Sequence, residues 1–195
     1  MQIILGSESP RRKEILSFFS LPFQQIASEF DENSVFFKGD PKLYAIELAK
    51  LKASTLAENH PNEIILTADT VVFCEGRLFN KPKSAEEAFE FLSFLSGKWH
   101  SVFTALAVIN NHKKFSDVEE TRILFHSLSP KQIFSYHDKI FFLDKAGGYA
   151  IQGTGSIIIS RIEGCYYNVM GLPINTCQKL LLNVGIDLWD YLKPF

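Results

Sequence analysis

The run from Glu63 to Glu75 constrains this chain more than any other stretch. Ile64-Ile65-Leu66 and Val71-Val72-Phe73 flank Thr67-Ala68-Asp69-Thr70. Apolar residues on both sides of the pleat read as a buried strand, which needs cover on both of its faces. The other segments offer that cover. Strands are predicted at 2–6 and 23–27, and helices at 10–19, 41–58, 84–95 and 130–138. Residues 99–109 alternate, with Val102, Thr104, Leu106 and Val108 on one side, and an Asn110-Asn111-His112 turn leads to a partner strand at 119–126. This is a hairpin. Ser84 followed by Glu87 is a capping-box pattern, and Ser96-Gly97 stop the helix. A strand at 156–162 and a helix opened by Pro173 complete the chain. Strands and helices mix without strict alternation, so a mixed-sheet α/β (or α+β) fold is expected, a twisted sheet with flanking helices. The 195 residues suffice for one large domain or a two-lobed unit with a substantial core.

Asp69 is the anomaly in that buried strand. Aspartate is depleted in strands, and a lone buried carboxylate is expensive unless it is paired or holds a metal. The alternative is a strand-end aspartate satisfied by a turn, since Gly76 and Pro82 mark one nearby.

A second signal lies at Ser7-Glu8-Ser9-Pro10-Arg11-Arg12. These residues join the apolar Ile3-Ile4-Leu5 to a helix, with Ser9 suited to the N-cap and Pro10 to the first helical position. A strand, a Ser-rich turn, a helix N-terminus and two arginines describe a socket for phosphate. A solvated basic turn is the bland alternative, carrying a small dipole penalty.

Lys52 falls on the apolar stripe of its helix with Ala45, Leu48, Ala49, Leu56 and Ala57, whereas Lys50 points away. A lysine so placed either snorkels to the edge or reaches into a cleft. Lys81 follows the hairpin of residues 75–80 and is an exposed loop lysine by default; Asp31 and Glu32 are adjacent acids in an irregular stretch. The glycines of 147–155 match neither a Walker A loop nor a dinucleotide fingerprint. The five histidines show no paired spacing, so a histidine-based zinc site is not expected, and neither is a Cys/His nucleophile.

Composition excludes several classes. With 20 basic and 22 acidic residues the net charge is −2, which argues against a protein built to bind long polyanions. Eighteen phenylalanines are scattered and read as core filling rather than a base-stacking platform. Cys74, Cys165 and Cys177 are odd in number and in no metal-ligand spacing, as suits a reducing compartment. No window approaches the ~18 apolar residues of a membrane span, and no charged leader precedes a long apolar segment. A cytoplasmic protein is expected, with no nucleic acid or membrane partner. Lysines and arginines on turns with carboxylates nearby form the inventory for a polyphosphate substrate and a hard divalent cation.

These residues resemble the Maf family of nucleoside triphosphate pyrophosphatases along nearly the whole chain. The blocks that carry the resemblance are Ser7-Glu8-Ser9-Pro10-Arg11-Arg12, Glu47-Leu48-Ala49 through Lys52-Ala53, Ala68-Asp69-Thr70-Val71-Val72 and Lys81-Pro82. They continue with Leu95-Ser96-Gly97 and His100, Asp144-Lys145-Ala146-Gly147, Ile151-Gln152-Gly153, and Asn168 to Pro173. The resemblance implies one domain over 1–195, an elongated two-lobed α/β architecture of Maf/ITPase-like type with a central cleft, often a homodimer. It implies cleavage between the α- and β-phosphates of a nucleoside triphosphate in a house-cleaning role, with a non-catalytic nucleotide-binding regulator of septum formation as the rival. Asp69 would be the catalytic base, with Lys52 and Lys81 assisting. Ser7, Arg11, Arg12, Lys52 and Lys81 would bind phosphates, and Glu32 and Asp69 would lie at a divalent cation, Mg²⁺ or Mn²⁺. Arg11, Thr70 and Gln152 match positions tied to base choice in the dTTP/UTP branch. The chain departs from the family at Gly6, where alanine is usual and the change is expected to be harmless. It departs also at Glu8, an acid inside the phosphate turn, and at Phe79-Asn80 before Lys81.

Overall fold

The computed structural model describes residues 2–194. The chain opens with β1 (Ile3–Gly6), α1 (Pro10–Leu16) and β2 (Phe23–Ile26), and a 3-10 turn at Glu32–Ser34 precedes α2 (Pro41–Asn59). Then come β3 (Ile64–Cys74), β4 (Arg77–Phe79), α3 (Ala85–Leu95), β5 (Trp99–Asn110), β6 (Lys113–Phe125) and α4 (Pro130–His137). The last elements are β7 (Ile159–Glu163), α5 (Tyr166–Met170) and α6 (Ile174–Leu182).

One seven-stranded mixed sheet runs in the order β2-β1-β3-β5-β6-β7, with β4 attached to β3. β1 is parallel to β2 and β3, and the remaining pairs are antiparallel. As the buried pattern demands, β3 is central. On one edge it pairs with β5 from Ile64↔Asn110 to Phe73↔Ser101. Its other edge is shared: β1 pairs up to Gly6↔Thr67, and β4 takes over at Val72↔Phe79. Ala68 to Val71 therefore have no strand neighbour on that edge, and here the sheet is open to other partners.

Period-two alternation then assigns the faces of β3. Ile65 and Val71 pack with Ile4, Phe103 and Ala105 under the buried stripe of α2, Tyr44, Ala45, Leu48, Ala49, Ala53 and Leu56. Leu66 and Ala68 face the opposite layer, built on Ile15 and Leu16 of α1 and Cys177, Leu180 and Leu181 of α6. Val72, Cys74 and Phe79 pack with Phe91, Leu92 and Leu95 of α3 and Ile133 and Tyr136 of α4. Each side chain of this size removed from water contributes about 1.5–3 kcal/mol.

Several boundaries differ from expectation for physical reasons. β6 begins at Lys113 rather than near Glu119, because its polar first half draws order from the ladder to β5, not from hydrophobicity. β5 is buried on both faces from Val102 to Ile109, where its alternation suggested one. α1 ends at Leu16, short of residue 19. Residues 153–158 form 3-10 turns, so the strand expected from 156 starts at Ile159. Ser84 caps α3 by accepting from Glu87 N at 3.2 Å, but the Glu87 carboxylate accepts from Lys83 N at 2.6 Å instead of closing the box. The complete capping box is Ser129 with Gln132 at α4. α5, five residues long, carries no hydrophobic period and was not expected. No helix among the described residues is long and apolar enough to cross a membrane.

Candidate active site

The open edge of β3 borders a cleft of about 720 Å³. A carbonyl left unpaired by the sheet must find another donor, and at Ala68 that donor is Arg12, whose Nη1 lies 2.9 Å away. The same guanidinium donates to Ser7 Oγ at 3.0 Å, Thr70 Oγ1 at 3.0 Å and Gly171 O at 2.8 Å. Gly171 closes α5 in the left-handed conformation at φ 101°, and a Cβ there would stand 3.2 Å from Arg12 Nε. Burial pulls Arg12 below the ordinary arginine range, and Asp69 offsets part of that.

A directed network continues from Arg12. Thr104 Oγ1 donates to Asn168 O at 2.7 Å, so in its 2.9 Å contact with Thr70 it accepts. The chain of donation runs Arg12, Thr70, Thr104, Asn168. The fully buried Asn168 side chain accepts from Thr104 N at 3.1 Å and donates to Val102 O at 3.0 Å and Thr121 Oγ1 at 2.9 Å. α5 is thereby pinned to β5 and β6, which explains why so short and polar a helix is ordered.

Asp69 points to the α2 face, and Lys52 reaches it from above. Lys52 Nζ lies 2.5 Å from Asp69 Oδ1 and 2.7 Å from Glu32 Oε1. Both Lys52 and Asp69 are buried, at 8% and 5% exposure, so Lys52 enters the cleft and does not snorkel to the edge. Asp69 sits mid-strand and is paired, which removes the strand-end reading. Burial would raise the Glu32 carboxyl, but the Lys52 ammonium, then Lys81 and Arg12, outweigh it and hold it below the usual range.

The remaining predicted residues also line the cleft. Ser7 is buried and accepts from Ser9 N at 3.2 Å as well as from Arg12. Ser9 caps α1 at 3.5 Å from Arg12 N. Arg11 turns away from Arg12 and forms an ion pair with Asp144 at 2.8 Å, with a second contact to the Asp144 carbonyl at 3.3 Å. Asp144 also meets Lys145 Nζ at 2.6 Å. Burial acts to raise Asp144, and hydrogen bonds from Lys145 and Arg11 carry it below the usual range. Lys81 is exposed, lines the cleft, and has no carboxylate within ion-pair distance among the described residues. Gln152 Oε1 is buried at the cleft wall with no hydrogen-bond partner. Glu8 is an exposed residue at the cleft. Gly6 is in a packed position: an added Cβ would meet Leu56 Cδ1 and Thr67 Cγ2.

No group of three or more His, Cys, Asp or Glu side chains capable of holding a metal occurs among the described residues. Glu32 and Asp69 nevertheless converge on one cation, the Lys52 ammonium. Two converging carboxylates suit a hard divalent ion that takes its other ligands from substrate phosphates and water, so the residues fit Mg²⁺ or Mn²⁺.

The family model described as Maf-like protein matches residues 2–184. The chain belongs to the Maf family. This Maf chain is 48% identical over 192 residues to the dTTP/UTP pyrophosphatase of Chlamydia caviae, covering 98% of each chain. It is 45% identical to the dTTP/UTP pyrophosphatase of Clostridium perfringens, over 96% of this chain and 100% of that one. A nucleoside triphosphate pyrophosphatase of Chlamydia muridarum is 45% identical over 98% of each. Among solved structures, the Staphylococcus aureus Ham1 protein shares the fold, with a TM-score of 0.52 at 14% identity over 94% of this chain and 100% of that one.

In this Maf cleft the sequence pattern did not distinguish Arg11 from Arg12, which the fold sends to different partners. It also missed Asp144 as the shared partner of Arg11 and Lys145, and Asn168 as the hub behind Thr70. Asn168 opens one of the blocks that carry the resemblance, and it is an amide within an otherwise apolar and aromatic run, Tyr166 to Met170.

Proposed function

We propose that this Maf protein hydrolyses dTTP and UTP between the α- and β-phosphates, releasing the nucleoside monophosphate and pyrophosphate. The observation that carries this reading is the convergence of Glu32, Lys52 and Asp69 at one point beside a Ser/Arg turn. The names of the relatives at 44–48% identity support it.

Attack at the α-phosphorus needs an aligned water and neutralisation of charge that grows on the pyrophosphate. Asp69 is the proton acceptor for that water. It is held by the Lys52 ammonium in a site shielded from bulk solvent. Lys81, which has no ion-pair partner among the described residues, is the cation available to the leaving pyrophosphate. Arg12 and Ser7 shape the turn that receives the phosphates. Glu32 and Asp69 would hold the divalent cation, which when bound supplies positive charge to the phosphates and acidifies a coordinated water. Gln152 presents a buried carbonyl oxygen with no partner, suited to the N3–H of uracil or thymine, while its amide N–H suits O4. The proposal includes a cytoplasmic homodimer acting on the free nucleotide, apart from nucleic acid and membrane. Free thiols at Cys74, Cys165 and Cys177 and the near-balanced charge support that setting.

The test is product analysis on a panel of nucleotides with and without Mg²⁺. Monophosphate and pyrophosphate are expected, with kcat/KM highest for dTTP and UTP, intermediate for CTP, and lowest for purines and 7-methyl-GTP. Orthophosphate and a nucleoside diphosphate as products would overturn the α-phosphorus assignment. A preference for 7-methyl-GTP would place the chain in another branch.

A further inference from the structure

The cations of the cleft are mostly engaged by the protein itself. Lys52 is held by Glu32 and Asp69, and Arg12 by Ser7, Ala68, Thr70 and Gly171. Arg11 and Lys145 share one carboxylate, Lys145 donating also to Phe141 O at 2.6 Å. Asp144 offers Oδ2 to Arg11 at 2.8 Å and Oδ1 to Lys145 at 2.6 Å, one oxygen to each cation. A phosphate oxygen pair would engage the same two cations in the same fashion. Both cations border the cleft, and their side chains are only 18% and 14% exposed, so solvent alone does not screen them. The loop around Asp144 is in turn tied to the turn bearing Lys81, because Gly147 N donates to Asn80 O at 3.1 Å.

We propose that Asp144 is a built-in competitor for the substrate's phosphates, occupying Arg11 and Lys145 until a polyphosphate takes both cations from it. The inference rests on the reading of the cleft as a nucleoside triphosphate site and assigns Asp144 and Lys145 a part in it. Asp144 sets a threshold. A ligand with several negative charges displaces the carboxylate, whereas a weakly charged one leaves Arg11 and Lys145 paired. Triphosphate is thereby favoured over the monophosphate product at the same site. The displaced carboxylate, one-third exposed on its loop, can turn to water.

The sign of one binding measurement decides between this and a purely structural role. Inorganic tripolyphosphate, pyrophosphate, UMP and uridine are titrated calorimetrically into the wild type and Asp144→Asn. Removing the competitor should tighten tripolyphosphate and pyrophosphate about tenfold, the scale of a partly buried charged hydrogen-bond pair. UMP should gain affinity enough to become a visible product inhibitor, and uridine should be unchanged. Lys145→Gln, with one of the two cations removed, should weaken tripolyphosphate about tenfold. Weaker or unchanged tripolyphosphate binding in Asp144→Asn would overturn the proposal and leave Asp144 as a support for Arg11. Should Asp144→Asn not fold, unchanged binding in Lys145→Gln overturns it equally. If the wild type turns over no nucleotide yet Asp144→Asn still tightens tripolyphosphate, the catalytic reading fails and the competitor stands. If UTP is hydrolysed and the affinities do not move, the reverse holds.

Discussion

Asp69 and Lys52, 17 residues apart in the chain, are each awkward alone and reasonable together. Removing one partner of a buried pair leaves an uncompensated charge, which typically costs about 3–5 kcal/mol. Lys52→Met should therefore lower urea-unfolding stability by roughly that amount, with Glu32 and Asp69 left to repel one another. Asp69→Asn is a milder structural change, since the amide keeps the shape and Lys52 keeps Glu32. Its melting temperature should stay near that of the wild type while kcat falls about 10²- to 10⁴-fold, the loss of a general base. A rate above a tenth of wild type would remove Asp69 from that role. Gln152→Ala tests the base reader. It should lower kcat/KM for dTTP and UTP by about ten- to a hundredfold, the discrimination tied to one unsatisfied buried polar group. Equal slowing of every nucleotide would instead make Gln152 a structural residue.

Between elements, contact distance decides what the chain tolerates. α2 lies so close to β1 that Gly6 has no room for a methyl against Leu56 and Thr67, so Gly6→Ala should destabilise by about 1–3 kcal/mol in chemical unfolding. A second element-level effect concerns pH. His100 on β5 is buried against Phe125 and Tyr149, its Nε2 2.9 Å from the Tyr149 hydroxyl and its Nδ1 without a partner. Burial pulls His100 from 6.5 down to about 4. Between those values the unfolded chain binds the proton and the folded one does not. Stability from this group is thus complete above about pH 6.5 and is lost as pH falls toward 4, about 3 kcal/mol in all. Unfolding free energies measured at pH 7 and 4.5 should show this loss in the wild type, and His100→Asn should lack it.

At the scale of the whole molecule, the cleft is a place where one sheet is left unfinished. β1 stops at Gly6 and β4 pairs from Phe79 opposite Val72, and the stretch of β3 between them is met by Arg12 of α1. A ligand that bridges α1, the Glu32 turn and the Lys81 turn should stabilise the fold by mass action. Mg²⁺ with a UTP analogue whose α–β bridge is methylene, at a hundredfold above its Kd, should add about 2.7 kcal/mol. Chelator should remove most of that gain, and a gain unaltered by chelator would rule out Glu32 and Asp69 as cation ligands.

Local pattern alone specified the strand around Asp69, the buried stripe of α2 with Lys52 on it, the apolar face of α3 and the Ser-Pro start of α1. These are properties of neighbouring residues, where a period of two or 3.6 and a capping side chain act over one or two turns. It also marked Asp69 and Lys52 as residues out of place, because a charge in an apolar setting is visible without knowing its partner. Which partner each charge takes was a tertiary matter. Arg11 and Arg12 are adjacent and chemically alike, yet successive helical positions point about 100° apart. One therefore meets Asp144, 133 residues away, and the other the unpaired edge of β3. The same holds for α5, which has no pattern of its own and is ordered by Asn168 reaching Val102, Thr104 and Thr121. Distant groups meet only once the sheet has set its order, and hydrogen bonds of that range leave no period in the sequence.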